Sequence, residues 1–236
     1  MKRSAWLLVF ATLLAPAAMF GSLIEGLMNA TGTAQISLGS IAFVGSTLDI
    51  NAPASTQEGG FTALAGTTAS IDNITNPPDA TGVLATPVLD FMVFAAAPNI
   101  SVTFTDLPAG IDGAAGCTDT PPASGQVCTP NVPAESPFNL QNTSATSSTA
   151  SFQILGMEVD STTGDTIPII GTFTTPFTAM SFQELLLAVE NGQTITTAFS
   201  AQFATVSSIP EPGTASLLLL TLLPAAWALR RTRKLR

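Results

Sequence analysis

Phe152-Gln153-Ile154-Leu155-Gly156, then Asp160-Ser161-Thr162-Thr163-Gly164-Asp165, then Ile167-Pro168-Ile169-Ile170-Gly171-Thr172-Phe173, read in order as strand, turn and strand. Phe152, Ile154 and Gly156 alternate with their neighbours, and Ile167, Ile169, Gly171 and Phe173 resume the alternation after the turn. A period of two is that of a strand with one buried face. Two such runs around an Asp/Gly turn predict a β-hairpin.

The same period recurs on both sides of this hairpin. Ile100, Val102 and Phe104 alternate with Ser101, Thr103 and Thr105, and Ile195, Thr197, Phe199, Ala201 and Phe203 form another face. Ile36 and Leu38, then Ile41 and Phe43, alternate with a phase shift at Gly39, which predicts a bulge. Residues 89–94 are apolar on both faces and predict a central strand. One helix is signed: Ser181 and Glu184 form a capping box, Met180 and Leu185 occupy the staple positions, and Gly192 stands at the C-terminal glycine position. It should span 182–190, with Leu185, Leu186 and Val189 over one end of the sheet core. Residues 142–149 are a Ser/Thr tract, read as a loop or a polar-faced strand. No internal repeat appears, which disfavours solenoids and propellers. The expected fold is mainly β: an antiparallel β-sandwich of about seven to nine strands with one short α-helix.

Charge is confined. The chain has 236 residues with 7 Lys+Arg, 16 Asp+Glu and no His, and only 10% are charged against an average of about 25%. All seven basic residues are terminal: Lys2, Arg3, Arg230, Arg231, Arg233, Lys234 and Arg236. Each cluster adjoins an apolar run. Lys/Arg beside a span stays on the cytoplasmic side, so residues between the clusters should lie outside. Residues 1–3 and the apolar run 5–18, with Ala15-Pro16-Ala17 as one A-x-A-like site, match a secretory signal peptide, assigned to 1–21 with cleavage between 17 and 30. An uncleaved anchor is the alternative; the run is shorter than the ~20 residues a span prefers.

The C-terminus reads Ile209-Pro210-Glu211-Pro212-Gly213-Thr214, then an apolar run containing Pro224 and Trp227, then five basic residues in seven. The run 213–229 reaches about 25 Å as a helix, enough for a thin transmembrane span. Pro210 and Pro212 fix their own φ and keep the segment extended. Triplet, span and basic cap together resemble the PEP-CTERM sorting domain of Gram-negative bacteria. The resemblance covers 209–236. It implies an inner-membrane-inserted precursor, processed by signal peptidase and by an exosortase that cleaves near the motif. The mature form is then expected at the cell surface or outside, near extracellular polysaccharide. A sortase signal needs Thr-Gly where this chain has Pro212-Gly213, and a GPI signal lacks the basic cap. A plain single-span anchor that keeps its tail stays open.

The expected ectodomain, 22–208, holds 15 of the 16 acidic residues and no basic ones. Such a surface repels nucleic acid. Cys117 and Cys128 lie in the Pro/Gly-rich stretch 107–137, and in an exported chain they predict one disulfide. Two Cys without His cannot complete a zinc shell. Absence of His, and of Lys and Arg from 4–229, removes Ser-His and Cys-His pairs, Schiff bases and guanidinium clamps. No nucleophile elbow or phosphate loop is present. No cofactor is implied. Glu158, Asp160 and Asp165 lie around one turn and offer oxygen ligands to calcium; the bland alternative is a solvated hairpin tip. The sequons at Asn29, Asn73 and Asn142 are read as chance. The expected function is structural or adhesive and non-enzymatic. The alternatives are a carbohydrate- or calcium-binding surface module and a hydrolase using two carboxylates.

Overall fold

The computed structural model describes residues 23–37, 40–75, 81–131 and 136–206. The strands are β1 (Leu27–Ser37), β2 (Ser40–Phe43), β3 (Thr47–Ile50), β4 (Thr68–Ile71), β5 (Ile74–Thr75), β6 (Gly82–Phe94), β7 (Ala97–Leu107), β8 (Val127–Cys128), β9 (Asn139–Ser144), β10 (Ser147–Asp160), β11 (Thr166–Phe177) and β12 (Ile195–Thr205). The helix α1 (Phe182–Glu190) lies between β11 and β12.

The expected sandwich is not what forms. Neighbouring strands run β11-β12-β1-β3-β4-β6-β7-β10, and β10 pairs back onto β11. That last pairing closes an eight-stranded antiparallel β-barrel. Closure removes the open edges that two stacked sheets would leave. β10 makes it possible by its length of 14 residues. One of its edges carries β11 from Ser148 to Val159. The other is shared, by β9 along Ser147–Ser151 and by β7 along Leu155–Asp160. β9 and β8 therefore leave the ring as a side arm.

The hairpin predicted from residues 152–173 forms as β10–β11, with Phe152 opposite Phe173 and Ile154 opposite Gly171. The bulge expected at Gly39 lies outside the described residues; on either side of it β2 runs antiparallel to β1 with Ile36 opposite Ile41. One other reading is corrected. Residues 89–94 are not buried on both faces. Leu89 is 71% exposed, Asp90 has φ 52°, and the register with β7 shifts around them. A barrel wall has only one inner face, so the extra apolar residue is turned out at a bulge.

Phenylalanine fills the interior. Phe43, Phe152, Phe173, Phe199 and Phe203 form one connected set, with Phe152 and Phe173 stacked at 4.7 Å. Glycine makes room for them on the same inner face. A Cβ on Gly171 would stand 2.7 Å from the Phe203 ring, and one on Gly32 would stand 2.6 Å from Phe199.

Each end is covered. At one mouth residues 51–67 fold over, burying Phe61 and Leu64, with Phe61 against Phe94. The N-terminal residues 23–26 lie beside this loop, joined by Gly60 N–H to Glu25 O at 2.8 Å. At the other end α1 packs Leu185 with Ile36, Leu140, Ala150 and Phe177, as expected of the helix, and Leu186 and Val189 flank that cluster. Its predicted capping box is present: Ser181 N–H donates to Glu184 Oε2 at 2.9 Å, and Glu184 N–H donates to Ser181 Oγ at 3.3 Å.

Among the described residues no helix is long and apolar enough to cross a membrane. The expected signal peptide (1–21), the motif Pro210-Glu211-Pro212, the expected transmembrane run (213–229) and the basic cap lie outside the described residues.

Candidate functional site

The inward row of β10 changes character along its length. Ala150, Phe152, Ile154 and Gly156 face the core, and the same period then brings Glu158 and Asp160 inward at the mouth. Both carboxylates are buried, Glu158 fully. Their environments differ. Glu158 Oε1 accepts the Ile24 N–H at 2.6 Å, and Oε2 has no partner among the described residues. Loss of water around this carboxyl pushes it up to about 7; the Ile24 bond opposes the rise and the Asp160 charge adds to it. Asp160 goes the other way. The Thr162 N–H at 2.8 Å, then the Asn99 amide at 3.1 Å, hold its carboxyl below the usual range.

The three calcium candidates do not converge. Glu158 turns to Ile24, Asp160 closes its own turn, and Asp165 is exposed, offering its backbone carbonyl to the Asp160 N–H at 3.0 Å. Among the described residues no group of three or more acidic, cysteine or histidine side chains is placed to hold a metal ion.

Cys117 and Cys128 form the disulfide. Cys117 sits in the 3-10 turn Ala115–Thr118, and Cys128 lies on β8 opposite Leu140 of β9. The bond fastens the side arm rather than the barrel. An amide cluster that no motif announces completes that fastening. Asn142, 1% exposed, donates to Gln126 Oε1 at 3.0 Å and to Gln183 Oε1 at 2.9 Å. Its Oδ1 accepts the Phe182 N–H at 2.9 Å, one of the orphan donors of the first helical turn. Gln183 reaches on to Asp119 O at 2.9 Å. The sequon at Asn142 is thus shut inside the protein. At the other two sequons, Asn29 donates to Thr56 O and Asn73 accepts from Phe43 N–H.

The outer face of β1, β12, β11, β10 and β9 is uncharged, with two polar cross-strand rows beside an apolar one of Leu27, Ala204, Ile170 and Leu155. Asn29, Gln202, Thr172 and Gln153 stand in one cross-strand row. Thr31, Ser200, Thr174, Ser151 and Asn139 stand in the next. A cleft of about 310 Å³ at the edge of this face is lined by Asp112, Asn139, Gln141, Thr149 and Ser151 among others. A smaller apolar cleft of about 100 Å³ lies between α1 and the wall, lined by Ile36, Phe138, Leu140 and Leu185 among others. It is smaller than the several hundred Å³ usual for a small-molecule site. Asp112 is the one carboxylate lining these two clefts, so neither offers the facing pair that glycoside hydrolysis needs.

Fold and site define a closed, phenylalanine-filled antiparallel barrel with a disulfide-pinned arm, a neutral outer face and a buried carboxylate at one mouth. Comparison with protein-family models, curated proteins and solved structures finds no match.

Proposed function

We propose that the chain is an exported protein of the cell surface or extracellular matrix, delivered as a membrane-inserted precursor. Signal peptidase acts at its N-terminus and an exosortase at Pro210-Glu211-Pro212. The barrel serves a structural or adhesive role without catalysis. The observation that carries this reading is the confinement of every Lys and Arg to residues 1–3 and 230–236, each cluster beside an apolar run. That is the distribution that membrane topology selects. The disulfide supports it, since such bonds persist in oxidising compartments. So does the closed barrel, which offers no open ring edge for unwanted pairing outside the cell.

Mass spectrometry of the surface-exposed protein tests the sorting step. In wild-type cells the tail from about residue 210 onward should be missing, and in cells lacking the exosortase it should be retained. A surface form ending in intact Arg236 would make the tail a plain anchor and end the sorting proposal.

A second reading, a polysaccharide-binding module, draws on the neutral rows across β1, β12, β11, β10 and β9. Hydroxyl and amide groups at regular cross-strand spacing suit a neutral, polyhydroxylated partner. Titration calorimetry with extracellular polysaccharides separates the two: heat that disappears when Thr172 and Thr174 become Ala favours binding, and no heat leaves the structural role.

A further inference from the structure

Glu158 stands where an apolar row meets the barrel mouth. Its register partners, Val102 on β7 and Ile167 on β11, are apolar. The ionisable group acting on it is Asp160, of like charge. Glu25 and Glu58, on the segments folded over the mouth, are exposed, and residues 4–229 contain no Lys, Arg or His to serve as counter-ion. Among the described residues, an ionised Glu158 therefore has one hydrogen bond and no opposite charge. A buried carboxylate in that condition is strongly disfavoured against its neutral form.

The bond it makes has a mechanical consequence. Glu25, Gly26 and Leu27 are held by backbone bonds to Gly60, Thr205 and Glu58. Ile24 is held by the Glu158 carboxyl, which reaches it from 134 residues away in sequence. We propose that Glu158 is a proton-operated latch on the barrel mouth. Neutral, it holds Ile24 and the adjoining N-terminal segment in place; ionised, it is drawn to water and frees that segment. The inference is independent of the exosortase step and rests on signal-peptide cleavage that leaves Ile24 in the mature chain, as the assignment 1–21 does.

The sign follows from linkage. The carboxyl titrates at about 7 in the closed mouth against 4.5 when free. Closure is therefore fully favoured below pH 4.5, and the advantage drains away as pH rises to about 7. Above that it changes no further.

Amide hydrogen exchange on the purified full chain, corrected for intrinsic rates, tests the latch. The amides of Ile24 and Gly26, and those of Glu58, Gly60 and Thr205 that donate to this segment, should lose protection by up to roughly tenfold per pH unit between about pH 5 and 7, while the β10–β11 hairpin stays level. In Glu158→Gln the same amides should show no such slope. A flat wild-type profile, or an unchanged slope in Glu158→Gln, overturns the proposal. Should that variant fail to fold, the ¹³C carboxyl titration of Glu158 in the wild type decides. A midpoint near 7 supports the latch, and one in the ordinary range near 4.3 sinks it.

Discussion

Asn142 and Asp160 are buried side chains that each satisfy more than one partner. Asn142 satisfies a buried helix N–H and two glutamine acceptors at once. Asn142→Ala leaves the Phe182 N–H without its partner, and a stranded buried donor costs about 1–3 kcal/mol. Chemical denaturation should show a loss in that range; no change would mean water replaces the amide at no cost. Asp160 contributes to stability in acid. Its carboxyl lies below the ordinary 3.8, so it stabilises the fold above that pH, and the contribution is lost as pH falls. Asp160→Asn should weaken the dependence of the melting temperature on pH in the acid limb and, by removing the like charge beside Glu158, move the Glu158-linked rise in mouth exchange to lower pH. At this scale the sequence places Glu158 at a calcium turn or a solvated hairpin tip, although it shares the parity of the inward Phe152, Ile154 and Gly156. Its partner was not legible, because nothing in residues 23–26 signals a contact so distant in the chain. The role of Asn142 was hidden by its surroundings, a Ser/Thr tract that reads as surface.

Elements built from local contacts were read correctly, and those shaped by distant ones were not. The capping box of α1 involves residues three apart, and Ser181 and Glu184 announce it whatever the rest of the chain does. Ser181→Ala should cost about 1 kcal/mol, the usual worth of such a cap, measured by thermal or chemical unfolding. The hairpin β10–β11 is equally local. β6 was misread because its two apolar faces are an average over a bulge. Its register with β7 jumps between Val88 and Met92, and only the partner strand dictates where. Gly156 makes the same point from the wall of the barrel. In the sequence it is one more small residue in an alternating run. In the fold a Cβ there would stand 2.5 Å from the Thr103 carbonyl oxygen on β7. Gly156→Val should therefore destabilise the β7–β10 seam by more than the same change at an open turn such as Gly164, where nothing lies within 4 Å. Gly164 has φ 78°, so its own replacement carries a backbone strain that sets the baseline for that comparison.

For the whole molecule, alternation cannot distinguish a sandwich from a barrel, since both present one apolar face per strand. Closure is a property of which strands pair across the chain, here β1 with β12 and β7 with β10. The disulfide was legible because two cysteines allow one pairing, yet its place in the architecture was not. Cys117–Cys128 lies on the β8–β9 arm, and none of the eight ring pairings passes through it. A bond closing so short a loop contributes about 2–3 kcal/mol through the unfolded chain. Its removal should therefore loosen the arm and spare the ring. The double variant Cys117→Ser with Cys128→Ser should keep a β-type far-UV spectrum and unfold at lower denaturant. Hydrogen exchange should place the loss of protection on residues 127–128 and 140–142, including the amide cluster around Asn142, while residues 152–173 keep theirs. Uniform loss across both regions would show that arm and barrel unfold as one unit. The arm would then be part of what closes the barrel, joined through Asn142, Gln183 and the first turn of α1.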